Sequence, residues 1–420
     1  MEDNVAETAR GLALAMASED ASVSRQAAED LMSLLFCGGR SERTPIRSRQ
    51  DELGEIPELR GALSHLLQHG CFEGRYFGCL ALSYLLHCNP TNIHLVGKTP
   101  GIFEGIRLSL SDPRMQGLAS GVLSQLAFGD KDNGERICDT PLILDLLADI
   151  VLQGRHSADQ QAATCAVSNC AANSPELALK IIAVPGMLEG ILKLCGHEED
   201  GEKDLNARTC VSAMGCVDNL SYHQAVRPHL RGEEVMRVLV PLMQLRGAQR
   251  GEEIRVMSAE SAMIVSRLSM REDLAGLRLE GEVLCTIMHC LRCAIDGELW
   301  ASFAWRLGEV LEPICRLSEN KHNCQVLAAE GACKQLIRVL QMPECSEPTT
   351  LQGHAPAAGR AHCLQALANL AEIPACRAGL VGVRVLLPSG GRDRRRGHQG
   401  WGTAAGVLER FAAGEGAAGR

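Results

Sequence analysis

A short phrase, aliphatic or nearly so at both ends of a four-residue stretch, closes eight apolar segments of this chain at nearly even intervals, and no other feature narrows the possible folds so far. The copies lie at residues 31–34, 82–85, 123–126, 167–170, 217–220, 265–268, 314–317 and 367–370. Their first positions are 51, 41, 44, 50, 48, 49 and 53 residues apart, a period of about 48 with variable loops. A second mark follows each copy by 15 to 23 residues: a turn at Gly54, Gly101, Pro141, Gly186, Gly232, Gly281, Gly331 or Gly382, opening a Leu-rich segment. In the first of these segments Ile56, Leu59, Leu63 and Leu66 fall at helical spacing. Two marks held in register over so long a stretch point to an all-α array in which each unit covers its apolar stripes only by stacking on its neighbours.

Composition agrees with packed helices. Apolar residues make up 46% of the 420, but aromatic residues only 3%, and sheets draw more heavily on aromatic and β-branched side chains. The net charge of -9 disfavours nucleic acid and anionic membrane as partners. No apolar run reaches the roughly 18 residues of a membrane span, and 19 cysteines without paired spacing read as small buried hydrophobes in a reducing compartment. The expectation is a cytoplasmic protein, with the nucleus as a further compartment.

The closing phrases, ALSYLLHCNPTN, VLSQLAFGDKDN, AVSNCAANSP, CVDNLSYH and ALANLAEIP, resemble the end of the third helix of armadillo repeats. The likeness runs from about Val23 to Leu387. It implies a right-handed α-solenoid of about eight armadillo-like repeats, with the third helices lining a concave groove for an extended peptide or a partner helix. The array is expected over residues 1–388, in units near 5–36, 54–88, 100–128, 141–172, 185–222, 232–270, 281–320 and 331–371. Residues 389–420, basic and then Gly/Ala-rich, read as a disordered tail, and residues 37–52, 195–204 and 342–357 as loops.

In importin-α-like members an Asn in the closing phrase holds the peptide backbone, and a Trp one turn earlier stacks on basic side chains. Asn169, Asn219 and Asn369 match that Asn, while Tyr84, Gln125, Arg267 and Arg316 occupy the same position in other copies. One turn earlier stand Leu80, Gly121, Cys165, Gly215, Met263, Glu312 and Gln365, none of them Trp, which argues against nuclear-signal binding. These seven rung residues are the candidate partner-binding set. Two readings of the amides stay open: hydrogen bonding to a partner's backbone, or bridging of helix ends within the array. Arg267 and Arg316 suggest a groove that turns basic towards the C-terminus and favours acidic partners, unless Glu260 and Glu309, seven positions earlier, pair with neighbouring bases.

No enzymatic or metal apparatus emerges. The run from Cys285 through His289 and Cys290 to Cys293 lies on one helix, without the second ligand pair of a zinc site. Gly97-Lys98-Thr99 lacks the preceding strand and the upstream Gly of a phosphate loop. His65 and His69 lack the Glu of a zincin motif. Pro313 is expected to kink or divide a helix over residues 299–317 that carries Trp300, Phe303 and Trp305. The functional expectation is a non-catalytic scaffold or adaptor for one or more proteins, without cofactor, metal or small-molecule substrate. A chaperone-associated folding cofactor is the alternative, and an enzyme with a site in the loops a third reading.

Overall fold

The computed structural model describes residues 5–36, 45–196, 207–245, 252–300, 303–345, 355–374 and 376. They form helices joined by short turns, with two short strand pairs. The chain divides into two compact units, Met1–Val226 and Arg227–Arg420.

In the first unit the helices form three rows. One row is made of third helices, Ala21–Leu35, Phe72–Leu86, Gln116–Ala127, Ser157–Asn173 and Ala207–Tyr222, each packed on the next. Second helices make another: Val5–Met16, Pro57–His69, Ile102–Leu110, Ile143–Gln153 and Met187–Cys195. Short first helices, Arg47–Glu55, Pro90–Gly97, Lys131–Asp139 and Pro175–Ile182, bridge them. The aliphatic phrases end the third helices, and their leading residues Leu31, Leu82, Leu123, Val167 and Val217 are all buried. Each buried Leu adds about 2 kcal/mol once the next repeat covers it.

The turns follow the second mark in part. Gly101 and Gly186 cap second helices with φ of 77° and 78°, a left-handed conformation that costs a glycine nothing. At the Pro141 turn the left-handed residue is Leu142, φ 68°, and it is largely exposed. Gly54 opens no turn: it lies inside Arg47–Glu55. That helix also takes in residues 47–52, which the sequence reads as loop, while Ile56 and Pro57 start the second helix.

Gly54 serves a different purpose. A β-carbon there would overlap the carboxamide of Asn92, and one at Gly97 that of Asn133. Both asparagines are fully buried, and each ties successive first helices together. Asn92 Nδ2 donates to the carbonyls of Gln50 (2.8 Å) and Leu85 (2.9 Å); Asn133 Nδ2 donates to those of Ile93 (2.9 Å) and Leu126 (3.0 Å). Both stand three residues after an N-cap, Asn89 or Asp130.

In the second unit, third helices Glu252–Leu268, Leu307–Leu317 and Ala357–Leu370 pack in series, with second helices Glu233–Met243, Gly281–Asp296 and Ala332–Gln341 beside them. Asn323 repeats the asparagine tie, donating to the carbonyls of Leu277 (2.7 Å) and Leu317 (3.3 Å). The helix expected over 299–317 begins only at Leu307. Upstream, Leu299–Trp300 pairs antiparallel with Phe303–Ala304. Pro313 sits within Leu307–Leu317 and cannot donate to the Glu309 carbonyl one turn back. That carbonyl instead accepts from the Arg267 guanidinium. The 389–420 tail and Gly382 lie outside the described residues.

Candidate functional site

The rung residues share one register, and the structure shows what most of their donors do. Gln125 Nε2 donates to Ser83 Oγ at 3.1 Å. Asn169 Nδ2 donates to the Ser124 carbonyl at 2.9 Å and to Ser124 Oγ at 3.1 Å, and Asn219 Nδ2 to Ser168 Oγ at 2.9 Å. Each accepting serine immediately precedes the rung of the repeat before. Tyr84 reaches back in the same direction with its ring, which stands edge-on to Phe36 at 4.8 Å. The bridging reading of the amide donors therefore holds in the first unit: the N–H groups clasp neighbouring third helices.

Gln125, Asn169 and Asn219 are half-buried, and their NH2 groups are committed. Gln125 Oε1 is shielded and has no hydrogen-bond donor among the described residues, a condition that costs about 1–3 kcal/mol. Beside these rungs the face is low. Gly121 and Gly215, one turn earlier, have nothing within 4 Å of the position a β-carbon would take.

The rungs of the second unit are more fully absorbed. Arg267 is 0% exposed, so its guanidinium is no part of a displayed basic surface: it serves the carbonyl that Pro313 cannot. Arg316 donates through Nε and Nη2 to the carbonyls of Ser266 and Ser269, both at 2.6 Å. Asn369 donates to Ser318 Oγ at 2.8 Å and accepts from Gln365 at 3.1 Å. The Glu309 carboxylate lies 3.5 Å from Arg306.

A buried charge cluster occupies the turn before these rungs. Arg227 holds Glu312 with two bonds of 2.8 and 2.7 Å. Burial pushes the Glu312 carboxyl up, but the Arg227 bond, with Arg267 and His362 behind it, holds it below the ordinary range. Burial lowers His362, and Arg227, Arg316 and Arg267 oppose its protonation while Glu312 favours it. Sequence reading missed both the serines and this cluster. The serines had a visible signal, since Ser83, Ser124, Ser168 and Ser266 each precede a rung; Arg227 had none, being 85 residues from its partner.

Cys290 and Cys293 are buried in Gly281–Asp296, and His289 stands edge-on to Trp300 at 4.7 Å. No helix among the described residues is long and apolar enough to cross a membrane.

Solved structures share this arrangement. The designed armadillo repeat protein YIII(Dq)4CqI matches with a TM-score of 0.50 and 16% identity, over 62% of this chain and 99% of its own. The fold is an armadillo-type α-solenoid. A second designed armadillo repeat protein, YIII(Dq.V1)4CPAF in complex with the peptide (KR)4, matches with a TM-score of 0.50 and 15% identity over the same shares of both chains. No family model and no curated protein matches the chain.

Proposed function

We propose that the chain is a non-catalytic protein-binding scaffold that takes an extended peptide segment across the third-helix row of Met1–Val226. The observation that carries this reading is the shared register of the half-buried rungs Gln125, Asn169 and Asn219, whose amide N–H groups are all turned to the preceding repeat. What such a row offers a partner is acceptors, and the backbone N–H groups of an extended chain are donors that recur without regard to sequence. The open space beside Gly121 and Gly215 leaves room for the partner's side chains. The solved complex of a designed armadillo protein with a peptide supports the same mode. Tyr84 flanks the row; Arg316 and Asn369 belong to this proposal as second-unit rungs that position neighbouring helices.

The test separates clasping from binding. Peptides are selected against the purified full chain by display, and their affinity is measured for Asn169→Ala/Asn219→Ala and for Ser124→Ala/Ser168→Ala. The serine variant removes the hydroxyl acceptors and keeps the Asn169 bond to the Ser124 carbonyl, so the urea midpoint of each variant is measured beside its affinity. The proposal expects the asparagine variant alone to lose about tenfold or more in affinity, the equivalent of about 1.4 kcal/mol. Equal affinity in the two variants would remove the rungs from the binding site.

A further inference from the structure

His65 and His69 stand one turn apart on the second helix Pro57–His69, and both are exposed. Leu59, Leu63, Leu66 and Leu67 of that helix are buried, so the two histidines occupy its solvent face, in the second-helix row and apart from the third. The imidazole centres are 4.7 Å apart, with the ring planes inclined by 48°. Among the described residues neither ring is hydrogen-bonded or ion-paired, which leaves their nitrogens open to a ligand. An imidazole bound through nitrogen at about 2.0–2.1 Å has its centre about 3.2 Å from the metal. Two rings held at about 90°, as in square-planar or tetragonal coordination, then have centres about 4.5 Å apart. The tetrahedral angle of zinc, about 109°, would set them about 5.2 Å apart. The observed 4.7 Å is nearer the first arrangement, which Ni(II) and Cu(II) prefer and for which imidazole is a suitable ligand.

We propose that His65 and His69 are a two-imidazole chelate for a divalent metal of the Ni(II) and Cu(II) class, a ligand that the sequence did not lead us to expect. The two rings take adjacent coordination positions on one ion. No cluster of three or more His, Cys, Asp or Glu side chains able to hold a metal occurs among the described residues, so water completes the coordination and the site is open at the surface. Leu66, not Glu, follows His65; the bound ion has no zincin-type base beside it, and the site binds metal without catalysing a reaction. Because the unfolded chain does not hold the two rings at this spacing, the ion favours the folded helix.

Ni(II), which does not oxidise thiols, is titrated alone onto the reduced full chain. Bound metal is measured by equilibrium dialysis and stability by the thermal midpoint. An ion is expected on the wild type that is lost in His65→Asn/His69→Asn, with a midpoint that rises with Ni(II) in the wild type only. Either single substitution should weaken binding about tenfold or more, because the first imidazole sets a high local concentration of metal for the second. Both positions are exposed, and circular dichroism checks that the variants keep their helices. Gly61→His added to His69→Asn restores the same spacing one turn earlier, where nothing lies within 4 Å of the new β-carbon, and should recover most of the affinity. Equal binding by wild type and the double variant would mean an adventitious ion only and would overturn the proposal. So would failure of the relocated pair to bind.

Discussion

At the residue scale this chain uses buried amides as ties. Asn92, Asn133 and Asn323 each spend both N–H groups on main-chain carbonyls, one from the preceding unit's helix or turn and one from their own closing phrase. Replacing Asn133 with Ala strips donors from the Ile93 and Leu126 carbonyls. The expected cost is about 1–3 kcal/mol, seen as a lower urea midpoint with intact helical circular dichroism. These ties were legible only in part. An Asn three residues after an N-cap looks like ordinary helix-start chemistry, and its long-range partners are 40 or more residues away. Charge gives a second prediction. His362 is held neutral by burial and by the arginines around it, so the unfolded chain binds its proton near pH 6.5, its ordinary value, while the folded chain binds it only at lower pH. Its contribution is complete above that pH and is lost as pH falls towards the folded value. Glu312 adds a loss at still lower pH by the same sign, its folded carboxyl being depressed. Urea midpoints between pH 7 and 5 should fall in the wild type and fall less in His362→Gln.

At the scale of elements, close approach between first helices decides which residues are glycine. The Asn133 carboxamide occupies the space a side chain at Gly97 would need. Gly97→Ala therefore forces that carboxamide to move and breaks its carbonyl bonds, at an expected cost of about 2–3 kcal/mol. Gly61→Ala, on an open helix surface, should be neutral or slightly stabilising. Comparing the two thermal midpoints checks the assignment. The helices themselves were largely readable: Leu59, Leu63 and Leu66 follow helical spacing because that face is buried. The start of Leu307–Leu317 was not. Trp300 and Phe303 continue an apolar pattern, yet they enter a strand pair, and the pattern alone cannot distinguish the two over so few residues. Pro313 remains within its helix, as Arg267 takes the carbonyl left without a partner, an interaction between residues 42 apart.

For the whole molecule, the repeat period was the legible quantity, because stacking imposes the same burial on every copy. The use of the rungs was less so. Position alone identified Gln125, Asn169 and Asn219, but whether an amide faces a neighbour or a partner depends on the serine before the preceding rung, which only the packed rows bring within reach. The account's central claim is that a protein segment lies on the third-helix row of Met1–Val226. Photo-crosslinking on the full chain tests it most directly, with a benzophenone amino acid placed singly at Gly121, Gly215 or Gly61, three sites where added bulk starts in open space. A captured peptide should crosslink from Gly121 and Gly215 and not from Gly61 on the second-helix row. Crosslinking from Gly61 with none from Gly121 or Gly215 would contradict it.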